Sequence, residues 1–412
     1  MTAPITLGTT RSEAAETLSR QIAPSAIPTE QPRWAQSLAK GAAGIALLHI
    51  ERAHTSAGSW QIAHDWMKAA TREEISAAND AGLYFGVPAI AFVLHTARAD
   101  GTERYGAALP QIDTHVDALA HRRVDLALTR INHGRRPAFA EYDLLHGLTG
   151  IGAHLLAHTP DSEALGRILA YLVRLTEPLR AGGHTLPGWW TLHGPDLKTP
   201  RGFPGGHANF GMAHGITGPL ALLAQAMRAG ITVDRHADAI HTICAFLDAW
   251  RQDGDTGSWW PQWITLDDLH TGRPSQPGPA RPSWCYGTPG IARAQQLAAI
   301  ATGDIHRRHI AEHALAASLA DPAQLSQLVD TSLCHGWAGL YQTALRAARD
   351  ALSPLISERL PYLTEMLIHH ATAAPCQAAG LLEGRAGTAL ALHTAARAEP
   401  PNSGWDTCLM IN

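Results

Sequence analysis

Apolar residues along the chain recur in blocks, and each block follows a turn built from small residues. The turn has the pattern Gly-x-x-Gly or Gly-x-x-Ala, and an Ala- and Leu-rich segment such as Ala389-Leu390-Ala391-Leu392 comes directly after it. Alanine and leucine are strong helix formers, and glycine supplies the backbone freedom and close approach that such a turn needs. We therefore predict a helix after each of the turns that begin at Gly41, Gly86, Gly147, Gly215, Gly287, Gly336 and Gly384.

The segments between these turns are also helical in character. Residues 163–173, for example, space their apolar positions as one face of a helix does, whereas strand signals are scarce. Each repeat therefore reads as a helical hairpin, and recurrence at this length is typical of a repeat architecture. Seven such hairpins predict an all-α fold that either stacks as an open solenoid or closes into a ring.

Composition narrows the classes of function. With 412 residues and 45% hydrophobic content the chain can bury a large core, and its net charge of −4 offers no basic surface for nucleic acid. No apolar run approaches the roughly 20 residues that span a bilayer, so we expect no membrane insertion. The first thirty residues lack the apolar stretch of a secretory signal, and the five cysteines are an odd number. We expect reduced thiols and a cytoplasmic location.

Domain boundaries follow from the repeats. We expect a flexible lead-in over residues 1–33, the helical repeats over 34–398 and a C-terminal tail over 399–412. Long loops are predicted at 96–140, 181–207 and 251–283, and the last two are rich in Gly, Pro and Trp. Such loops can roof a cavity and bind peptide, or their tryptophans can simply pack; both readings stay open.

Candidate chemistry is clear when the repeats are aligned on their first glycine. The residue two before it is Cys285 in the fifth repeat and Cys334 in the sixth, and His335 follows Cys334 directly. Two thiolates and one imidazole suit Zn²⁺ and leave a fourth position for water or substrate, which is the pattern of a catalytic zinc site. The alternative is that both cysteines are small buried hydrophobes, as Cys244 is expected to be. Cys376 and Cys408 have no such context.

These ligands favour the ring over the solenoid. Residues at equivalent positions of separate repeats converge only if the inner helices surround a common axis. We therefore predict an α/α toroid of seven helical hairpins with a central cavity. The helix N-termini at one end of that cavity would lower the pKa of the thiols before any metal binds.

Four motifs together resemble one known family. In order and spacing they are similar to the lanthionine synthetase C-like proteins, the cyclases of class I lanthipeptide biosynthesis, over about residues 34–395. The motifs are Tyr142-Asp143-Leu144-Leu145-His146-Gly147, Ala213-His214-Gly215, Trp284-Cys285-Tyr286-Gly287 and Cys334-His335-Gly336.

The resemblance implies an activity and a site. Such proteins add a peptide cysteine thiol to dehydroalanine or dehydrobutyrine, forming (methyl)lanthionine rings in a dehydrated precursor of leader plus core peptide. The chain contains no dehydratase-like segment, which implies a separate dehydratase. The resemblance assigns one zinc ion per chain to Cys285, Cys334 and His335, and the other site positions to Asp143, His214, Arg281 and Tyr286.

The expected roles follow from the chemistry of the addition. His214 would act as acid or base, Asp143 would hold its tautomer, and Arg281 would stabilise the enolate oxygen. From the residues alone, Asp143 can equally be a helix cap and Arg281 part of a loop ion pair.

Other functions compete with the cyclase. A zinc-dependent prenyl transferase would want an aromatic-lined cavity, which the aromatic content of 6% does not favour, and a zinc hydrolase is disfavoured because two thiolates suppress the acidity of metal-bound water. A non-catalytic zinc-containing protein that binds glutathione or a peptide would carry the same ligands, so it stays an alternative.

Overall fold

The computed structural model describes residues 11–22, 33–195, 203–374 and 376–412. Within these residues α-helices predominate. In chain order they are α1 (Arg11–Arg20), α2 (Ala42–His54), α3 (Trp60–Ala70), α4 (Val87–Thr96), α5 (Leu109–Asn132), α6 (Phe139–Tyr142), α7 (Leu148–His158), α8 (Glu163–Leu175), α9 (Thr217–Arg228), α10 (His236–Ala249), α11 (Leu266–Thr271), α12 (Thr288–Thr302), α13 (Ile305–Ala320), α14 (Pro322–Leu325), α15 (Trp337–Asp350), α16 (Leu360–Ala373) and α17 (Arg385–Arg397). In the described ranges, none of the helices is both long and apolar enough to cross a bilayer.

Short strands lie within or directly beside the second and third segments predicted as long loops. They are β1 (Leu179–Ala181), β2 (His184–Leu186), β3 (His207–Asn209), β4 (Gln252–Gly254), β5 (Gly257–Trp259) and β6 (Trp263–Thr265). They pair antiparallel as β1–β2, β3–β6 and β4–β5. Three residues are too few for an alternating pattern to be visible in the sequence.

The predicted helix after each small-residue turn is confirmed. The first glycine of the turn is the N-cap of α2, α4, α7, α12, α15 and α17. In the fourth repeat the helix begins later, because Ile216 rather than Gly215 is the N-cap of α9.

The second glycine of the turn permits a close backbone approach. A Cβ atom at Gly290 would lie 2.0 Å from the Trp284 carbonyl oxygen, and one at Gly339 would lie 1.9 Å from the Leu333 carbonyl oxygen. Both contacts are far shorter than any real Cβ contact, so these positions exclude even alanine without a local shift.

The described residues pack as two compact units. The terminal unit takes the chain up to Val116 and from Ser326 to Met410, and the central unit takes Asp117–Leu325. In the terminal unit α2 packs against α3, α4 and α17, and α15 packs against α16 and α17. In the central unit α9 lies between α7 and α12, with α8, α10 and α13 packed against them.

Single backbone hydrogen bonds join successive turns within each unit. In the central unit the Leu144 amide donates to the Ala213 carbonyl (3.1 Å), and the Ala213 amide donates to the Cys285 carbonyl (3.4 Å). In the terminal unit the Cys334 amide donates to the Leu382 carbonyl (2.9 Å), and the Leu382 amide donates to Ala39 (3.0 Å). We call these bonds the turn ladder; most of its residues stand two positions before the first glycine.

The structure differs from the sequence-based expectations at the start of the chain. Arg11–Arg20, expected in a flexible lead-in, is helix α1 and packs on α17. Ala14, Ala15 and Leu18 are buried because their spacing puts them on one helix face, and Ile22, just beyond the helix, is buried too. The remainder of the expected lead-in before Arg33 lies outside the described residues.

The expected tail and the first predicted loop differ too. Trp405 and Cys408 are buried, and the buried Asp406 carboxylate accepts hydrogen bonds from Arg346 (2.7 and 2.6 Å) and Gln342 (2.7 Å). The 3-10 helix Trp405–Leu409 is thus part of the packed structure. Within 96–140, residues 109–132 form α5, whose buried apolar positions are Leu109, Val116, Leu119, Ala120, Val124 and Ala127.

We predict opposite effects for two Gly→Ala substitutions in helices of the central unit. Gly290→Ala should lower the free energy of unfolding by about 1–3 kcal/mol, because its Cβ meets the Trp284 carbonyl. Gly166→Ala in α8 meets nothing within 4 Å and should raise stability by about 0.5–1 kcal/mol. Urea unfolding followed by circular dichroism measures both. Equal effects at the two positions would contradict the packing argument.

Candidate functional site

Asp143 is the most buried charged group among the predicted site residues. It follows α6, and its side chain is 0% exposed. Its Oδ1 accepts the backbone amides of His146 and Gly147, both at 2.7 Å, ahead of α7. Its Oδ2 accepts a hydrogen bond from His214 Nδ1 at 2.6 Å. Asp143 therefore has both of the roles that the sequence left open: its carboxylate caps the start of α7 and also binds an imidazole.

The ionisation of Asp143 follows from these contacts. Burial opposes the charged form, but the hydrogen bonds from His146 and His214 outweigh it and lower the pKa of Asp143 to about 2. The group is therefore a carboxylate throughout the physiological range, and it can accept two imidazole N–H groups at once.

His214 stands in the turn before α9, with its ring held on three sides. Its Nδ1 is bound by Asp143, the Phe139 ring stacks on it with centroids 5.7 Å apart, and the Tyr286 ring lies 6.3 Å away. Because Nδ1 is engaged by the carboxylate, Nε2 is the ring atom presented for chemistry. The side chain is 18% exposed, so solvent or a substrate can reach it.

His146 joins the same carboxylate from the third turn. Its Nδ1 lies 3.4 Å from Asp143 Oδ2, and its ring is parallel to that of His214 within 10°, with centroids 5.8 Å apart. The hydrogen bond to Asp143 raises the pKa of His146 above the ordinary 6.5, although burial opposes the shift. Two imidazoles thus share one buried carboxylate.

Tyr286 and Cys285 occupy the fifth turn in the same unit. The Tyr286 hydroxyl accepts a hydrogen bond from Asn209 Nδ2 at 3.0 Å, and the buried Asn209 is itself fixed by the Gly211 amide (2.8 Å). Cys285 is 5% exposed, and its Sγ lies 3.7 Å from the Ser283 hydroxyl. The fourth and fifth turns therefore present a thiol, a phenol and an imidazole together.

Cys334 and His335 lie in the terminal unit, half-buried, in the turn before α15. His335 Nε2 is 3.1 Å from Asp330 Oδ2, and Asp330 Oδ1 accepts the Ser332 amide at 2.8 Å. Burial opposes ionisation of Asp330, yet the bonds from His335 and Ser332 hold its pKa below the usual range. A carboxylate that fixes an imidazole through one ring nitrogen is the usual partner of a metal-binding histidine.

Arg281 and the three remaining cysteines lie in different environments. Arg281 is half-buried in the loop four positions before Cys285, and its carbonyl abuts Gly287, where a Cβ would lie 2.5 Å away. Cys244 is buried as expected, and burial raises its pKa to about 12, as it does for Cys408. Cys376 Sγ is 3.3 Å from the Thr331 hydroxyl.

Three residues that contact the predicted site residues were not predicted from the sequence: His146, Asp330 and Asn209. His146 stands in the same register as His214 and His335, so the alignment of the turns already carried a signal for it. Asp330 and Asn209 both stand six positions before the first glycine of their turns, but that register holds Arg281 in the fifth repeat, so residue type there gave no common signal.

Comparisons with known proteins agree with the resemblance found in the sequence. The family described as lanthionine synthetase C-like protein matches residues 32–410. Nisin biosynthesis protein NisC of Lactococcus lactis subsp. lactis is 22% identical over 265 residues, which are 63% of this chain. In that match the chain spans 60% of the relative's length.

A solved structure titled Nisin cyclase has the same fold. The TM-score is 0.80 at 19% sequence identity, and the match covers 96% of each chain. It confirms the predicted fold class, an all-α toroid. At this identity the likeness establishes the fold alone.

We predict a pH dependence of stability that passes through Asp143. The pKa of its carboxyl is about 2 in the folded chain against an ordinary 3.8, so its stabilising effect is present above pH 3.8 and is lost as pH falls through 2. The advantage of the wild-type chain over Asp143→Asn should therefore shrink by about 2 kcal/mol between pH 6 and pH 2. Urea unfolding across that range measures it, with the exposed Asp255→Asn as control. A constant difference between wild type and Asp143→Asn would refute the assignment.

Proposed function

The chain belongs to the lanthionine synthetase C-like family, and on that premise we propose that it is a zinc-dependent lanthipeptide cyclase. It would add cysteine thiols of a dehydrated precursor peptide to dehydroalanine or dehydrobutyrine and so form (methyl)lanthionine thioether rings. The nisin relatives support this reaction class by their names.

One observation carries the proposal beyond family membership. The buried Asp143 carboxylate holds His214 by Nδ1 at 2.6 Å, which fixes the imidazole tautomer and leaves Nε2 to exchange a proton. Such an oriented imidazole is what a thiol addition needs, since one proton must leave sulfur and one must reach carbon. A protein that only binds a peptide or glutathione has no use for this arrangement.

The donor set fits zinc. Two thiolates and one imidazole, from Cys285, Cys334 and His335, are soft and borderline ligands that suit Zn²⁺ and leave one position open. We propose that these three residues bind one ion per chain. Asp330 engages His335 Nε2, which would leave Nδ1 for the metal and hold the orientation of the ring.

Different residues of the chain would carry out different steps of the thiol addition. When bound, zinc would lower the pKa of the substrate thiol and hold its sulfur as a nucleophile. The sulfur forms a bond to the β-carbon, the double-bond pair moves towards the carbonyl, and an enolate results. Arg281 is proposed to stabilise the enolate oxygen, and His214 to deliver the proton to the α-carbon. Asn209 fixes the Tyr286 hydroxyl beside His214, where it borders the reacting groups.

The remaining parts of the proposal concern the substrate and its supply. The precursor must arrive already dehydrated, and we assign that step to a separate dehydratase. A cytoplasmic location is part of the proposal, because a zinc site with two thiolates and a substrate thiol requires a reducing compartment, and no disulfide joins any of the five cysteines in the part of the chain that the structure describes.

The deciding experiment is cyclisation of a dehydrated precursor in vitro. Ring closure leaves the peptide mass unchanged, so alkylation of remaining thiols followed by mass spectrometry counts the uncyclised cysteines. The wild-type chain should protect the cysteines from alkylation, whereas His214→Ala should retain zinc and lose roughly 100-fold or more in rate. Binding of the peptide without protection of its thiols would instead favour a non-catalytic role.

The zinc site has its own prediction. Asp330→Asn should keep all ligands yet weaken zinc binding by about 10- to 100-fold, because His335 loses the carboxylate that orients it. Cys334→Ala should abolish the bound zinc, and cyclisation with it. Competition with a chromophoric chelator measures the affinity, and Cys376→Ala, a thiol elsewhere in the terminal unit, is the matched control. Full zinc in Cys334→Ala would remove that residue from the ligand set.

A further inference from the structure

His146 makes a contact that the local fold does not require. Its backbone amide already donates to Asp143 Oδ1 at 2.7 Å, and its carbonyl accepts a hydrogen bond from Arg123 at 2.6 Å. These bonds anchor the turn before α7. The imidazole reaches Asp143 Oδ2 in addition, at 3.4 Å.

The exposure of the ring separates a packing role from a chemical one. The Asp143 side chain is 0% exposed and that of His214 is 18% exposed, whereas the His146 side chain is 44% exposed. A ring that filled space in the core would be buried. His146 instead joins the inaccessible carboxylate to the accessible side of the cluster.

Charge balance limits how many protons the cluster holds. The groups facing His146 are the Asp143 carboxylate, the His214 imidazole and the Arg123 guanidinium. One carboxylate compensates one imidazolium, but two parallel imidazolium rings 5.8 Å apart would repel each other, and Arg123 adds to that repulsion. The geometry therefore favours at most one extra proton on the two rings together.

We propose that His146 is a second acid–base group of the site, which shares one proton with His214 through Asp143. The inference rests on the proposed cyclase function. In each addition the sulfur–carbon bond forms, the double-bond pair shifts to the α-carbon, and the imidazolium of the pair donates its proton there. The proton of the broken substrate S–H bond passes to the neutral imidazole in the same step, so the two rings never carry more than one extra proton. The cluster returns to its starting charge, so no external acid, base or oxidant is consumed.

The first test is kinetic. His146→Gln keeps a polar side chain of similar reach but cannot carry the proton. Its single-turnover cyclisation rate should fall roughly tenfold or more, with zinc content and melting temperature unchanged. Because hydrogen bonding to Asp143 places the His146 titration above pH 6.5, the wild-type rate should fall on a limb above that pH, and the variant should lack that limb. The matched control is His241→Gln on the exposed face of α10, which should behave as wild type.

The second test does not depend on turnover. Histidine ¹⁵N NMR across pH 5 to 9 should show His146 and His214 titrating in two linked steps in the wild type, and His214 in a single step in His146→Gln. The proposal is overturned if the His214 titration in His146→Gln is the same as in the wild type. It is also overturned if His146→Gln cyclises at the wild-type rate with the wild-type pH profile. A lower melting temperature with an unchanged rate per folded molecule would overturn it as well, by showing a structural role only. Linked titration in a wild-type chain that closes no rings would reject the cyclase function and leave the shared proton standing.

Discussion

The turn ladder is the constraint on which the site depends. Each bond joins the backbone of one helix-initiating turn to the next, and the residues that make it stand at nearly the same distance before the first glycine. A backbone amide and carbonyl in a packed interior must be satisfied, so the ladder cannot slip without leaving polar groups unpaired. In the central unit it fixes the main chain of Ala213 and Cys285 and thereby sets where the neighbouring His214 and the Cys285 thiol stand. In the terminal unit it does the same for Cys334 and its neighbour His335.

Small residues make the ladder possible. At Gly290 and Gly339 a carbonyl of the preceding segment occupies the space of a side chain, and at Gly211 a Cβ would lie 2.5 Å from the Cys285 carbonyl. The glycines that mark the repeats in the sequence are thus explained by backbone packing rather than by flexibility. Because the helices start at these turns, the polar side chains gather at helix N-termini, where Asp143 accepts two backbone amides and two imidazoles.

Much of this arrangement could be read from the sequence because it is periodic. The seven turns, the helices after them and the shared register of Cys285 and Cys334 all follow from spacing, as does the burial of Cys244. Contacts between side chains on different loops could not be predicted from the sequence. Asp330 binds His335 from five positions away through a bent turn, and strand β3 pairs with β6, which lies more than fifty residues further along the chain. The sequence gives little indication of helix α1, because its apolar face is made mostly of alanine, a residue that is also common on exposed helices.

The terminal unit joins the two ends of the chain. Glu51 in α2 accepts the backbone amides of Asn402 (3.0 Å) and Ser403 (2.8 Å), the Tyr84 hydroxyl donates to the Cys408 carbonyl (2.8 Å), and α2 packs on α17. During synthesis on the ribosome, α2 therefore emerges more than 300 residues before α17 and the Asn402–Ser403 segment, and the part of its surface that they cover stays exposed in the meantime. The central unit is contiguous from Asp117 to Leu325 apart from the single residue Ile411, so its helices have no such delay. Translation thus sets an order of folding. The central unit, with Asp143, His214 and Cys285, folds first, and the terminal unit, with Cys334 and His335, is completed last.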